Sequence, residues 1–250
     1  MMELLASLNW HSLVALGLGL LLAGVVKGAT GLGYSSCALP FLVHALGLKN
    51  GIALVLFPAM ATNVAVALGN GHLRTTCRDF AALYLAMLPG VAAGIWLLGL
   101  VDQHLAVKTL GISIIAYVVF SLARPQLRLG AKQASVLQVP VGLTNGILTG
   151  LTGSQVMPMV PYFLAHDLEP ARVVQAINLG VLMASAALAA GLSASGVIDN
   201  TRIAVSIIAI VPALAGVEIG RRLQHRIQPT KLKTLILIVL AIAGAGLVLR

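Results

Sequence analysis

The chain has 250 residues, of which 59% are hydrophobic and 9% are charged, and its mean hydropathy is +0.99. Soluble globular proteins carry about 25% charged residues, so this composition excludes the soluble class and is typical of a protein that lies in a lipid bilayer. The net charge of +9 does not indicate nucleic acid binding, because the basic residues are spread over short loops between apolar segments.

Apolar segments of about 20 residues predict membrane-spanning helices along the chain. In chain order they are Gly51–Gly69, Phe80–Val101, Leu105–Ala123, Val173–Ala194, Ile203–Gly220 and Leu232–Leu249. Two further apolar regions, Ser12–Leu48 and Ala134–Ala165, are too long for one crossing and are interrupted by Gly, Thr, Ser and Pro. They predict broken helices, because glycine permits a bend and hydroxyl or amide side chains can bond the peptide groups that the bend releases.

The two broken regions begin two halves of the chain that resemble each other at an interval of about 120 residues. The matching residues are Thr30-Gly31 with Thr149-Gly150, Asn63 with Asn178, Gly71 with Gly196, Pro89 with Pro212, and Lys108-Thr109-Leu110 with Lys233-Thr234-Leu235. We therefore expect a first membrane repeat over residues 1–123, a cytoplasmic linker over 124–133 and a second membrane repeat over 134–250.

The distribution of Lys and Arg predicts how the repeats are oriented, because these residues favour cytoplasmic loops. If each broken region crosses the membrane once, the loop residues divide seven against eight. If each is a hairpin that returns to the side it entered from, the division is eleven against four. The sequence therefore predicts an all-α integral membrane protein of two inverted-topology repeats, each a broken-helix hairpin plus three transmembrane helices, with both termini outside the cytoplasm. Such repeats are typical of secondary transporters.

The candidate binding residues lie mainly at the two breaks. A helix that begins inside the membrane presents free N–H groups and a positive dipole end, and both favour an anion. We expect such second half-helices to begin at Gly33–Ser36 and at Gly153–Gln155, and to bind one small oxyanion between them. The candidate residues are Lys27, Thr30, Gly31, Gly33, Ser35 and Ser36 at the first break, Thr149, Gly150, Thr152, Gly153, Ser154 and Gln155 at the second, and Asn63, Gln175 and Asn178 in the spans.

Several of these residues also have a purely structural interpretation. Small residues can serve close helix packing, and Asn63 or Asn178 can form interhelical hydrogen bonds. Lys27 is a costly residue inside an apolar segment, and it either attracts an anion or extends to a nearby membrane surface. Glu218 is expected to pair with Arg221 and Arg222 at the interface rather than to carry protons.

The sequence offers little for chemistry other than transport. Cys37 and Cys77 form no metal-binding spacing, and the six histidines are scattered over different loops and segment ends. Nucleophile-elbow, zinc-protease and Walker motifs do not occur in the sequence. We expect no cofactor, metal site or nucleic acid partner, and the sequence does not define an oligomeric state.

The first break, Lys27-Gly-Ala-Thr-Gly-Leu-Gly33 followed by Pro40, resembles the signature of the TauE/SafE family of sulfite and organosulfonate exporters. The second copy, Gly146-Ile-Leu-Thr-Gly-Leu-Thr-Gly153 followed by Pro158, is similar to the repeat of the same family, and the resemblance covers essentially the whole chain. It implies a permease for small sulfur-containing or carboxylate anions, with the Gly-rich hairpins near the substrate. Family members often have glycine where this chain has Tyr34, which implies a different cavity size.

The sequence thus predicts a secondary transporter in a bacterial cytoplasmic (inner) membrane. The resemblance implies that its cargo is a small anion such as sulfite or an organosulfonate, with sulfoacetate as one example, and export is the favoured direction. Two alternatives stay open at this point. One is a non-transporting assembly or sensor subunit whose Gly and Ser residues serve helix packing. The other is an intramembrane enzyme, for which Cys37 is the only candidate nucleophile.

Overall fold

The computed structural model describes residues 10–67, 72–123, 127–224 and 229–249. Within these ranges the chain is helical and contains no strand. The helices are α1 (Trp10–Thr30), α2 (Tyr34–Leu46), α3 (Leu48–Ala67), α4 (Leu73–Asp79), α5 (Ala81–Leu100), α6 (Gln103–Ala123), α7 (Ala131–Thr152), α8 (Met159–Leu164), α9 (Pro170–Ala194), α10 (Asn200–Ile208), α11 (Ile210–Leu223) and α12 (Pro229–Val248).

Six helical segments in the described ranges are long and apolar enough to cross a membrane: α3, α5, α6, α7, α9 and α10–α11 taken together. They identify a multi-pass membrane protein, as the composition predicts. Five of these six segments correspond to spans predicted from the sequence. The remaining predicted span corresponds to α12, in which the apolar part, Thr234–Val248, is shorter than the six long segments. The additional long helix is α7, the first arm of the second broken region. Gly71 of the repeat comparison lies outside the described residues, as do Arg124, Arg226 and Arg250, three of the loop residues counted for the topology.

The predicted span Ile203–Gly220 is interrupted at Ala209, between α10 and α11. Pro212 gives the physical reason, because proline has no N–H to donate to the carbonyl of Ile208 four residues earlier. The two pieces still form one continuous apolar segment long enough to span a bilayer.

The first broken region folds back on itself at three residues between α1 and α2. Gly31 and Gly33 have φ angles of 75° and 86° in this turn, which residues with a side chain rarely adopt. A Cβ atom added to Gly19 of α1 would lie 3.5 Å from the Cβ of Phe41 in α2. The two helices therefore run back along each other.

The second broken region also returns to its starting point, but by a longer non-helical path. Gly153 ends α7 with a φ of 75°, and the next helix begins only at Met159. The expected half-helix start at Gly153–Gln155 is therefore wrong. Met157 precedes Pro158, and a residue before proline is disfavoured in the α conformation. At the far end, the N–H of Leu129 donates to the carbonyl of Ala165 over 3.0 Å, so the chain returns to the end of α7 where it began.

Two helix pairs pack backbone against backbone, α1 with α11 and α5 with α7. In the first pair, a Cβ added to Gly24 would lie 2.3 Å from the carbonyl oxygen of Ala213. In the second, a Cβ added to Gly94 would lie 2.2 Å from the carbonyl oxygen of Ile147, and one added to Gly150 would lie 2.3 Å from that of Val91. Small residues allow this close approach in membrane bundles. Each pair joins a helix from the first half of the sequence to one from the second.

Candidate functional site

Lys27 is the charged residue that the fold buries most deeply among those described. It lies in the last turn of α1 and is 2% exposed. Its Nζ atom donates to Oδ1 of Asn63 over 2.7 Å and to Oδ1 of Asn178. None of the ion pairs formed by the described residues includes Lys27. The ammonium is therefore solvated by amide oxygens but not neutralised by a carboxylate.

Both asparagine side chains are oriented by their own helices. Nδ2 of Asn63 donates to the carbonyl of Ala59 over 2.6 Å, and Nδ2 of Asn178 donates to that of Val174 over 2.7 Å. Asn178 also donates to the carbonyl of Gly31 over 2.9 Å. These bonds turn the Oδ1 atoms toward Lys27. An ammonium has three N–H groups, so the two asparagines leave one for a further acceptor.

The beginning of α2 lies beside this ammonium. Gly33 is its N-cap residue and forms no side-chain cap, and the next residues, Tyr34, Ser35 and Ser36, are buried. Helix α2 has 13 residues, so its N-terminal N–H groups and dipole add positive potential at this position.

A cavity of about 380 Å³ connects these groups. Its volume falls in the usual range for a small-molecule site. The predicted residues that line it are Lys27, Thr30, Gly33, Ser35, Ser36, Asn63 and Gln155. Much of the remaining wall is apolar and comes from α8, α9 and α12, for example at Val160, Ile177, Val181, Ile236 and Leu240.

Most of the predicted residues at the second break do not line the cavity. The hydroxyl of Thr149 donates to the carbonyls of Asn145 and Ser154 over 2.8 and 3.2 Å. Nδ2 of Asn145 donates to the carbonyls of Gln155 and Met157 over 3.2 and 3.0 Å. These bonds hold the non-helical segment in place. Only Gln155 of this group reaches the cavity, and α8, with six residues, is too short to add a substantial dipole. The expected arrangement of two equivalent helix ends is therefore not found in the described residues.

The two breaks nevertheless share one local geometry. The hydroxyl of Thr30 donates to the carbonyl four residues earlier and accepts from the N–H of Leu32, over 2.8 and 3.2 Å. Thr152 makes the same bonds over 2.6 and 3.1 Å, the second with Ser154. Thr30 therefore matches Thr152 in geometry, three residues beyond the Thr149 that the sequence comparison selected. When the two halves are aligned by Thr30 and Thr152, Thr149 corresponds to Lys27.

The remaining predicted residues have structural contacts outside the cavity. Gln175 accepts from the hydroxyl of Thr76 over 3.1 Å and donates to the carbonyl of Ala67 over 2.9 Å. Gly150 contacts the backbone of α5. Glu218 binds Arg221 and Arg222, as expected from the sequence.

Three polar residues of the cavity were not among the binding residues predicted from the sequence. Tyr34, Tyr117 and Ser121 all line it. Tyr34 could have been found, because it is a polar residue directly beside the Gly-rich turn. Tyr117 and Ser121 lie in an apolar helix with no local signal. Among the described residues, no group of three or more His, Cys, Asp or Glu side chains could hold a metal ion.

Comparison with protein families identifies the family of the chain. The family model described as "Sulfite exporter TauE/SafE" matches residues 16–247, nearly the whole chain. The protein belongs to the TauE/SafE family. This membership identifies a membrane transporter of the anion or sulfite exporter type. Comparisons with curated proteins and with solved structures returned no match. The matched range includes both breaks and every residue of the cavity, so the buried ammonium lies within the TauE/SafE region.

Proposed function

We propose that this protein is a secondary transporter that exports a small anion across a bacterial cytoplasmic membrane. The cargo is sulfite or an organosulfonate such as sulfoacetate, and it moves by alternating exposure of a midplane site beside the two broken regions. The observation that carries this proposal is the Lys27 ammonium, which is 2% exposed at the wall of a cavity.

The energetics of a buried charge favour an anionic ligand. A cation inside a membrane protein is costly unless it is paired or solvated. The amide oxygens of Asn63 and Asn178 solvate Lys27 but carry no net charge. An anion in the cavity would neutralise it and would also meet the N-terminal end of α2.

The predicted binding residues take different roles in this proposal. The anion contacts the ones that line the cavity, and Asn178 orients Lys27. The others shape the scaffold around the site: Gly31, Thr149, Gly150, Thr152, Gly153, Ser154 and Gln175.

Two contacts between helix ends that are distant in the sequence support the inverted-repeat topology. Arg172 pairs with Asp79, and Nε of Arg202 donates to Oδ1 of Asn50 over 3.2 Å. In the hairpin topology the members of each pair lie on the same side of the membrane. If each broken region crossed once, both pairs would be split between the two sides.

The reciprocal helix contacts support the same topology. Helix α1 packs on α11 as α7 packs on α5, and Asn63 and Asn178 approach Lys27 from corresponding helices of the two halves. We therefore propose repeats over residues 1–123 and 134–250, joined by the cytoplasmic linker 124–133, with both termini outside the cytoplasm.

Export requires no coupling ion in this proposal. An inside-negative membrane potential favours outward movement of each negative charge by about 2.3 kcal/mol per 100 mV. Sulfite or a sulfonate formed in the cytoplasm would therefore leave the cell without a second gradient.

The proposal is tested by replacing Lys27 with Met, which keeps much of the side-chain length and removes the charge. Lys49→Met is the matched control, because Lys49 is exposed. Sulfite and 2-hydroxyethanesulfonate are added to each purified variant, and the melting temperature and the flux into proteoliposomes are measured. A ligand that binds the folded state raises the melting temperature.

We expect both readouts to be retained in Lys49→Met and lost in Lys27→Met. Lys27→Arg separates charge from shape and should keep part of the binding. Unchanged anion binding in Lys27→Met would refute the proposed site.

The glycine contacts give Gly24, Gly94 and Gly150 a packing role, which a non-transporting subunit would also use, but such contacts pack the helices of transporters as well. They do not account for an ammonium at a cavity wall. A non-transporting subunit would produce no anion flux into proteoliposomes, so flux by the wild type would exclude this alternative.

A further inference from the structure

Two polar atoms in the cavity wall have no hydrogen-bond partner among the described residues. They are the hydroxyl oxygen of Tyr34 and Oε1 of Gln155. Tyr34 is 2% exposed and Gln155 is 3% exposed, and both residues line the cavity. Leaving a buried polar group without a partner costs roughly 1–3 kcal/mol. A molecule inside the cavity is the available partner for both.

The chemistry of Gln155 restricts what that molecule contains. Its Nε2 atom donates one of its two N–H groups to the hydroxyl oxygen of Ser185 over 2.9 Å, whereas Oε1 has no partner among the described residues. A carbonyl oxygen only accepts hydrogen bonds. A fully ionised sulfonate or carboxylate group has no proton to give it. The ligand therefore needs a donor in addition to its anionic group.

The charge of the cavity restricts which hydrogen-bond donor group the ligand can carry. The side chains that line it include one cation, Lys27, and no carboxylate. An ammonium group on the ligand would have no counter-charge there, and a second anionic group would exceed the single positive charge. An uncharged hydroxyl group fits both limits. It can donate to Gln155 and accept from Tyr34 at the same time, because a hydroxyl has one proton and two lone pairs.

Building on the anion transport proposed above, we infer that the substrate is a hydroxylated organic monoanion. Lys27 binds its anionic group, and Tyr34 with Gln155 recognises its hydroxyl group. Tyr34 and Gln155 thereby determine specificity within the proposed class of small anions. Among the organosulfonates, this inference selects those with one negative charge and a hydroxyl group. It therefore favours neither sulfite nor sulfoacetate as the best ligand.

The test compares three probes of similar size: 2-hydroxyethanesulfonate, ethanesulfonate and 2-aminoethanesulfonate. Affinities are measured by ligand-dependent thermal stabilisation of the purified full-length protein. We expect the wild type to bind 2-hydroxyethanesulfonate at least about tenfold more tightly than either other probe, as a lost buried hydrogen bond implies. Equal binding of ethanesulfonate would overturn the role of the hydroxyl group, and equal binding of 2-aminoethanesulfonate would overturn the charge argument.

Tyr34→Phe removes only the oxygen that has no partner in the described structure. We expect it to fold at least as stably as the wild type and to reduce the preference for 2-hydroxyethanesulfonate at least about threefold. Tyr84→Phe is the matched control, because its hydroxyl donates to the carbonyl of Ala176 over 2.9 Å and Tyr84 does not line the cavity. It should lower stability and leave the preference unchanged. An unchanged preference in Tyr34→Phe would overturn the assignment of Tyr34.

Gln155→Met tests the second residue and should reduce the preference in the same direction, whereas an unchanged preference would overturn the assignment of Gln155. Failure of this inference is distinguishable from failure of the proposed function. If all three probes bind equally and require Lys27, only the specificity assignment is wrong. If none of them nor sulfite stabilises the wild type, the anion site itself is wrong.

Discussion

The contact between α5 and α7 makes a quantitative prediction about Gly94. A Cβ at this position would lie 2.2 Å from the carbonyl oxygen of Ile147 and 2.8 Å from the Cα of Gly150. Ordinary contact begins near 3.4 Å, so Gly94→Ala must separate the two backbones by about 1 Å. Overpacking of this kind costs roughly 1–3 kcal/mol. For a chain of this length, each kcal/mol corresponds to roughly 2–4 °C in melting temperature.

Gly99→Ala in the same helix is the matched control, because no atom lies within 4 Å of the added Cβ. Alanine has a higher helix propensity than glycine by about 1 kcal/mol, so this variant should be neutral or stabilised. The assay is thermal unfolding of both variants in one detergent, followed through tryptophan fluorescence. Equal melting temperatures for Gly94→Ala and Gly99→Ala would refute the backbone contact between α5 and α7.

Two further predictions concern the loops. On a background without the native cysteines, single cysteines replacing Arg128 and Arg221 should react with a membrane-impermeant thiol reagent from the same side of the membrane. A cysteine replacing Lys49 should react from the other side. Reaction of the Arg128 and Arg221 variants from opposite sides would contradict the hairpin topology. Asp199 precedes α10 and accepts from the backbone N–H of Arg202 over 2.7 Å, and this bond lowers the pKa of its carboxyl group. A lowered folded-state pKa contributes stability above the unfolded pKa and loses it as the pH falls through the folded value. Asp199→Ala should therefore lower the melting temperature at neutral pH and have a smaller effect in acid, whereas an effect independent of pH would contradict the capping role.

The membrane class and most helices could be predicted from the sequence, because a bilayer requires long apolar segments whose length is nearly fixed. The breaks could be located from Gly31, Gly33 and Gly153, whose positive φ angles only glycine adopts readily. The start of α8 could not be predicted from the sequence. It depends on the path of the chain between Gly153 and Pro158, which no local pattern defines.

The site was predicted only in part, for a related reason. Lys27, Asn63 and Asn178 could be selected because polar residues are rare in apolar helices and need partners. Their convergence on one ammonium depends on how α1, α3 and α9 pack, which no local pattern records. Gln175 carries the same local signal as Asn178 and bonds Thr76 and Ala67 instead. Only the packed structure separates these two roles.

The unneutralised charge of Lys27 has an electrical consequence for a transport cycle of the proposed kind. With Lys27 protonated, the empty site carries one positive charge, whereas the site with a monoanion bound is neutral. The membrane voltage would then act on the return of the empty carrier, and the loaded step would be nearly insensitive to it. Substrate-free protein should therefore produce transient capacitive currents after voltage steps, and a saturating monoanion should suppress them.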